Sequence, residues 1–185
     1  PELESAGMIL HAFSTRHEGL GTRGAIAPAN DWRLIADTFG VPLRNVVTIT
    51  QVHGDRVVTI DGSGMIDGRF DPRFIQADAM ITGARGIAIG IETADCVPIL
   101  LLDPARPAVA AVHAGWRSTV KKIVQKTVSK LEKEFGAESR TMIAGIGPAI
   151  GPECYEVDEP VMGPLRQAFP FWSEVTRERS AGRWS

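Results

Sequence analysis

Two of the four histidines and one of the two cysteines of this 185-residue chain fall in three short segments. These are Gln51-Val-His53-Gly54, Thr93-Ala-Asp-Cys96 and Val112-His113-Ala-Gly-Trp-Arg117. Each segment closes or interrupts an apolar, strand-like run, so His53, Cys96 and His113 are expected at strand ends, where a rigid sheet can aim them into a cleft. Two imidazoles and a thiolate suit Zn²⁺, which is usually four-coordinate, and three protein ligands leave its fourth position for water or substrate. The three are scattered along the chain rather than paired at short spacing, which describes a site built on a finished fold. A blander account uses the same residues: a free Cys packs as a small buried hydrophobe, and a strand-end His serves as a hydrogen-bonded core residue. Spacing alone leaves both open.

The elements that must position these groups alternate short strands with a few helices. Residues 8–13, 45–51, 55–60, 77–81, 86–92, 97–103 and 107–113 are rich in Val, Ile and Ala and bounded by Gly, Pro or Asp, which predicts strands. Several are apolar on both faces, which predicts burial between layers. A helix is predicted from about Trp116. Val120, Ile123, Val124, Thr127, Leu131 and Phe135 recur at helical spacing, lysines fill the opposite face as solvated surface, and Gly136 is the C-terminal stop. Residues 31–39 and 158–169 are further helical candidates, the second interrupted by Gly163 and Pro164. Glycine clusters at 62–68 and 145–151 read as loops.

Composition bounds the functional classes. With 44% hydrophobic residues the chain can build one substantial core, and residues 1–185 read as a single domain. A formal charge of −2 with mixed signs gives no basic footprint, so nucleic acid is not an expected partner. No apolar run approaches membrane-spanning length, residues 1–8 do not form a signal peptide, and two cysteines do not make a disulfide framework, so a cytoplasmic setting is expected. Cys154 reads as a structural thiol. Neither a G-x-G-x-x-G nor a Walker sequence is present to hold a nucleotide cofactor.

The segments QVHGDRV, ADAMITG, GIETADCVPILLLD, VAAVHAGWR and GIGPAIGPECYEV, in that order, resemble the YfiH-like family, which carries both polyphenol oxidoreductase or laccase and purine nucleoside phosphorylase labels. The resemblance covers residues 11–157, with TADCVP and HAGWR its most specific words. It implies an α/β (mixed α+β) fold of the cysteine-hydrolase type, with sheets layered between helices. It also implies zinc held by His53, Cys96 and His113, and a purine nucleoside and phosphate as partners. Between Phe13-Ser-Thr-Arg16 and Asp31 the chain lacks the Gly-rich stretch with Ser-Leu-Asn usual in this family. It stops at Trp184-Ser185 where relatives continue, so its C-terminal part is expected to be incomplete.

At the junction after His113 the expected helix start would turn free N–H groups toward an anion, and Arg117 could grip phosphate or carboxylate in bidentate fashion. Arg117 could equally pair with Asp95. Asp95, and behind it Glu92, are candidates to orient a ligand or shuttle a proton. Trp116 reads as core packing, with purine stacking a further use. His11 and His17 are not expected to bind metal. Three enzyme classes follow. The first is a zinc enzyme acting on adenosine, inosine or methylthioadenosine by phosphorolysis, on adenosine by deamination, or both, though without the H-x-E and P-C-x-x-C deaminase signature. The second is a metal-independent hydrolase with Cys96 as nucleophile and His113 as base. Copper oxidation of phenols ranks last, because several coppers would need more imidazoles than four histidines supply. A binding module with structural zinc is the non-enzymatic reading.

Overall fold

The computed structural model describes residues 9–14, 29–62 and 75–185. In chain order they form α1 (Ala29–Phe39), β1 (Val46–Val47), β2 (Val57–Thr59), β3 (Ala79–Thr82), β4 (Ala88–Ile89), β5 (Val97–Asp103) and β6 (Ala108–Ala114). Then come α2 (Trp116–Val120), α3 (Ile123–Phe135), β7 (Ile143–Ile146), α4 (Glu159–Ala168), β8 (Glu178–Ser180) and β9 (Arg183–Trp184).

The central sheet has five strands in the order β2-β3-β6-β5-β7, with β2 and β3 parallel and the other pairs antiparallel. Side chains alternate between its faces. Ala79 and Ile81 of β3, with Leu101, Ala110 and Val112, pack under Ile123 and Leu131 of α3. Met80, between them in β3, joins Val47, Val58 and Ile60 in a second cluster that includes Ile89 of β4. Apolar residues on both sides of β3 are therefore all buried, as a sheet covered on both faces requires. The paired strands β1 and β4 form the second, smaller layer, and α1 closes it from outside, with Trp32 so near that a Cβ on Gly90 would meet its ring at 3.2 Å. The order helix, large sheet, small sheet, helix is the expected mixed α/β layering.

The strand 97–103 has its predicted bounds; β1, β2 and β4 are shorter cores of the predicted 45–51, 55–60 and 86–92, while β3 and β6 end one residue beyond the predicted 77–81 and 107–113. Residues 9–14 form no strand; Phe13 instead packs on Gly147, where a Cβ would come within 2.4 Å of its ring. The helix from Trp116 is broken at Lys122, whose φ of 62° and ψ of 44° are left-handed. The break lets α2 follow β6 while α3 lays Ile123, Thr127 and Leu131 on the sheet, and Gly136, at φ 65°, ends α3 as predicted. The 145–151 cluster is not all loop, because Gly145 pairs with Leu100 in β7. The helix α4 forms despite Gly163 and Pro164. Its Met162 is fully buried, and Arg166 grips Glu159 while lying over the Trp172 and Trp184 rings at 5.0 and 5.1 Å. Residues 8, 63–68 and His17 lie outside the described residues.

At the end of the sheet where β5 turns into β6, Asp103 is fully buried. Its Oδ1 accepts the N–H groups of Ala105 at 2.8 Å and Arg106 at 3.3 Å, and its Oδ2 accepts that of Glu138 at 2.9 Å. Burial alone would raise its pKa, but these N–H donors, with the Arg106 charge, hold it below the ordinary carboxylate value of 3.8. A depressed folded pKa stabilises the protein above the unfolded value, and that contribution is lost as pH falls through the folded value. Asp103→Ala, which strands buried donors, should cost roughly 1–3 kcal/mol at neutral pH. In urea titrations the gap to wild type should narrow below about pH 4; a gap independent of pH would contradict this account.

Candidate metal centre

The three candidate ligands meet at the opposite end of the same sheet. In the antiparallel pairing of β5 with β6, Val97 faces Ala114, so Cys96, one residue before β5, arrives beside the end of β6, where His113 stands 3% exposed. His53 comes from the turn that leads into β2 and holds a left-handed backbone with φ of 55°. The ligand atoms of His53, Cys96 and His113 lie within 4.8 Å of one another. Cys96 Sγ is 3.8 Å from His53 Nε2, and the two imidazole rings stand edge to face with centroids 4.8 Å apart.

Asp78, at the head of β3 and fully buried, organises this end. Its Oδ1 accepts the His53 N–H at 2.9 Å, and its Oδ2 accepts those of Val52 at 3.2 Å and Gly54 at 2.6 Å. His113 Nδ1 lies 2.8 Å from the same Oδ1, and a carboxylate accepts there, so Nδ1 is the donor, and in the neutral ring Nε2 then holds the lone pair. Gln51 makes a second tie. Its side-chain amide donates to the Glu92 carbonyl at 2.7 Å and accepts the Glu92 N–H at 2.8 Å, four residues before Cys96. The segment after β7 is fastened to the same strand by the Ile150 N–H on the Asp95 carbonyl and the Gly147 N–H on the Pro98 carbonyl.

The residues present fit a four-coordinate metal. A tetrahedral ion with bonds of about 2.0–2.3 Å spaces its donors roughly 3.3–3.8 Å apart, within small side-chain adjustments of the spacing here. Gly115 keeps the space clear, since a Cβ on it would sit 2.9 Å from His53 Cδ2 and 3.0 Å from Cys96 Sγ. Burial raises the Cys96 thiol pKa, and the Asp95 and Asp78 carboxylates push it further the same way; a bound cation has the opposite effect on a thiol.

The expected orienting carboxylates are replaced. Asp95 is exposed and, among the described residues, forms no ion pair with Arg117 and no hydrogen bond to either imidazole, whereas Asp78 holds both histidines. Glu92 contributes its backbone through Gln51. Asp78 was legible only as a lone acid inside the apolar run 77–81. Arg117 is exposed, with its guanidinium 4.4 Å from the Trp116 ring centroid. Tyr155 was not foreseen. Burial raises its phenol pKa, Cys96 and Asp95 raise it further and Arg117 lowers it, so it shares the field of the centre. His11 is half-buried and outside the cluster, and Cys154 is exposed rather than packed as a structural thiol. A hollow of about 440 Å³ beside Ile60, Arg106 and Phe135 lies at the Asp103 end, and none of the three ligands lines it.

A family model described as multi-copper polyphenol oxidoreductase laccase matches residues 25–185. The hypothetical protein YfiH of Bacillus licheniformis superposes with a TM-score of 0.80 at 26% identity, covering 89% of this chain and 64% of that one. The chain belongs to the YfiH-like family. Within it, a purine nucleoside phosphorylase of Deinococcus radiodurans is 35% identical over 173 residues, 86% of this chain and 64% of the relative. An adenosine deaminase from an unknown prokaryotic organism is 34% identical over 192 residues, 94% of this chain and 72% of the relative. The chain thus spans less than two thirds of the length of the first two of these YfiH-like relatives.

The backbone of Gly115, at φ −72° and ψ 165°, is open to any residue, so Gly115→Ala tests space alone. The added methyl should cost about 1–3 kcal/mol of overpacking at the cluster and weaken metal uptake while the fold persists. Metal titration beside circular dichroism checks this, and unchanged uptake would show that the cluster does not need that space.

Proposed function

We propose that this chain carries the metal centre of a zinc-dependent enzyme acting on purine nucleosides, with His53, Cys96 and His113 as the ligands. One observation carries the reading: donors of the right chemistry, from segments far apart in sequence, converge within 4.8 Å at one end of the sheet. Relatives named purine nucleoside phosphorylase and adenosine deaminase support the substrate class. When bound, zinc supplies Lewis acidity and lowers the pKa of a water in its open position. Phosphorolysis would replace the base at the ribose C1′ by phosphate; deamination would replace the 6-amino group by water and release ammonia. Adenosine, inosine and methylthioadenosine are the candidate nucleosides.

Around the metal, this chain's own groups bind and orient. Arg117 stands four residues after His113, and stacking on Trp116 holds its guanidinium fork ready for a phosphate. The five-residue α2 is too short to add much of a helix dipole, so the anion falls to Arg117. His113, held at Nδ1 by Asp78, would hold the metal through Nε2.

The metal-independent hydrolase draws on the same geometry, with Cys96 beside His53 and an Asp78-bound His113. Either role requires the thiolate, and burial with the Asp95 and Asp78 carboxylates raises the Cys96 pKa; a bound cation would offset that shift, so metal content separates the two readings. Copper is the poorer match: a lone His₂Cys centre suits electron transfer, not multi-copper oxidation.

Wild-type protein should hold one zinc per chain and Cys96→Ala should lose most of it; equal zinc in both by elemental analysis removes Cys96 from the centre. A nucleoside panel with and without phosphate, read for free base and ammonia, assigns the reaction. Arg117→Ala should keep its zinc and melting temperature but lose about ten- to hundredfold in kcat/KM for phosphorolysis, the loss of a charge-assisted hydrogen bond to the anion, with deamination less affected. Phosphorolysis at the wild-type rate would move the phosphate site elsewhere.

A further inference from the structure

We infer that Asp78 is the positioning residue of the metal centre, one carboxylate that sets the ring of His113 and the backbone of His53 together. The inference rests on reading His53, Cys96 and His113 as metal ligands. Four donors converge on Asp78 and none of its oxygen capacity faces solvent: Oδ1 takes the His53 N–H and His113 Nδ1, and Oδ2 takes the N–H groups of Val52 and Gly54. Because one oxygen serves both histidines, a displacement of Asp78 disturbs both at once. The His113 tautomer follows as well. A neutral imidazole carries one proton, so a proton held on Nδ1 by Asp78 is what leaves Nε2 able to ligate.

The turn at residues 51–54 is then the hub of the centre. Asp78 ties it to His113, and the paired Gln51 bonds to Glu92 tie it to the segment that ends in Cys96. All three ligand-bearing segments are thereby tied together by hydrogen bonds among the chain's own residues.

Substitution by asparagine makes the idea testable, because all four partners of Asp78 are donors. An amide must turn its NH₂ toward one pair of them. Facing Val52 and Gly54, it breaks the turn that carries His53. Facing His53 and His113, it demands the tautomer with Nε2 protonated, which cannot bind metal. Either orientation should weaken the centre, and the shape of the side chain hardly changes.

The experiment compares metal-stripped wild type and Asp78→Asn as full chains. Zinc affinity is read by competition with a chromophoric chelator, cobalt-loaded protein by its absorption spectrum, and folding by melts of the metal-free forms. Zinc binding should weaken by about 10- to 100-fold, and the cobalt bands should change. Affinity within about twofold of wild type, well under the usual effect of an outer-shell partner, with an unchanged cobalt spectrum and only a lower melting temperature would make Asp78 merely structural and overturn the inference. If Asp78→Asn does not fold, the metal-free wild type still decides: long-range ¹H–¹⁵N spectra should show His113 protonated on Nδ1, and protonation on Nε2 overturns it. Wild type that binds no zinc would refute the metal reading instead, a failure distinguishable from the first.

Discussion

A sheet covered on both faces can offer side chains to a ligand only at its ends, and this constraint governs the placement of chemistry here. The helix α3 and the β1–β4 layer seal the two faces of the central sheet around Ala79, Met80, Ile81 and Val112. Residues that begin or end strands are the ones left to act. Antiparallel pairing of β5 with β6 sets the start of one beside the end of the other, and the parallel pairing of β2 with β3 brings the entries to both to that same end. Cys96, His113, His53 and Asp78 share a location for topological reasons before any of their side chains interact.

Each end of the sheet also carries one fully buried carboxylate that accepts backbone N–H groups, and the comparison separates structure from chemistry. Asp103 spends its acceptors on Ala105, Arg106 and Glu138, which fastens a turn to the segment after α3. Asp78 closes a turn in the same manner but reserves part of Oδ1 for the ring of His113. A buried charge without such donors would cost several kcal/mol or more, so neither position would tolerate an acid for solubility alone. Only Asp78 directs its contacts onto groups able to bind a metal.

Much of this was legible in sequence where a polar residue interrupts an apolar run. His53, Cys96 and His113 announced themselves that way, and the continuous apolar stretch 97–103 fixed β5. The left-handed Lys122 that splits the long helix carries no sequence mark, because lysine rarely adopts that conformation and the break answers to packing on the sheet. Gly145 in β7 reads as loop by propensity, yet pairing with Leu100 overrides it. The contacts of Asp78 were hidden in sequence because its partners lie 24 to 35 residues away, whereas Asp95 drew attention by standing next to Cys96. Adjacency in sequence is a poor guide to the carboxylate that holds a histidine when strands distant in sequence meet.

The energetics of His53 show why its support must come from such a distance. A non-glycine residue with φ of 55° costs about 1–2 kcal/mol in the left-handed region. Nothing local repays it, since the turn at 51–54 has no helix or strand of its own. The N–H groups of Val52, His53 and Gly54 all reach the Asp78 carboxylate, and hydrogen bonds to a charged group contribute roughly 1.5–3 kcal/mol each. Their sum exceeds the backbone cost, so the turn is stable in a conformation it would not choose alone. Holding the imidazole among Cys96 and His113 is therefore a property of the assembled sheet, set by a carboxylate that lies 25 residues further along the chain.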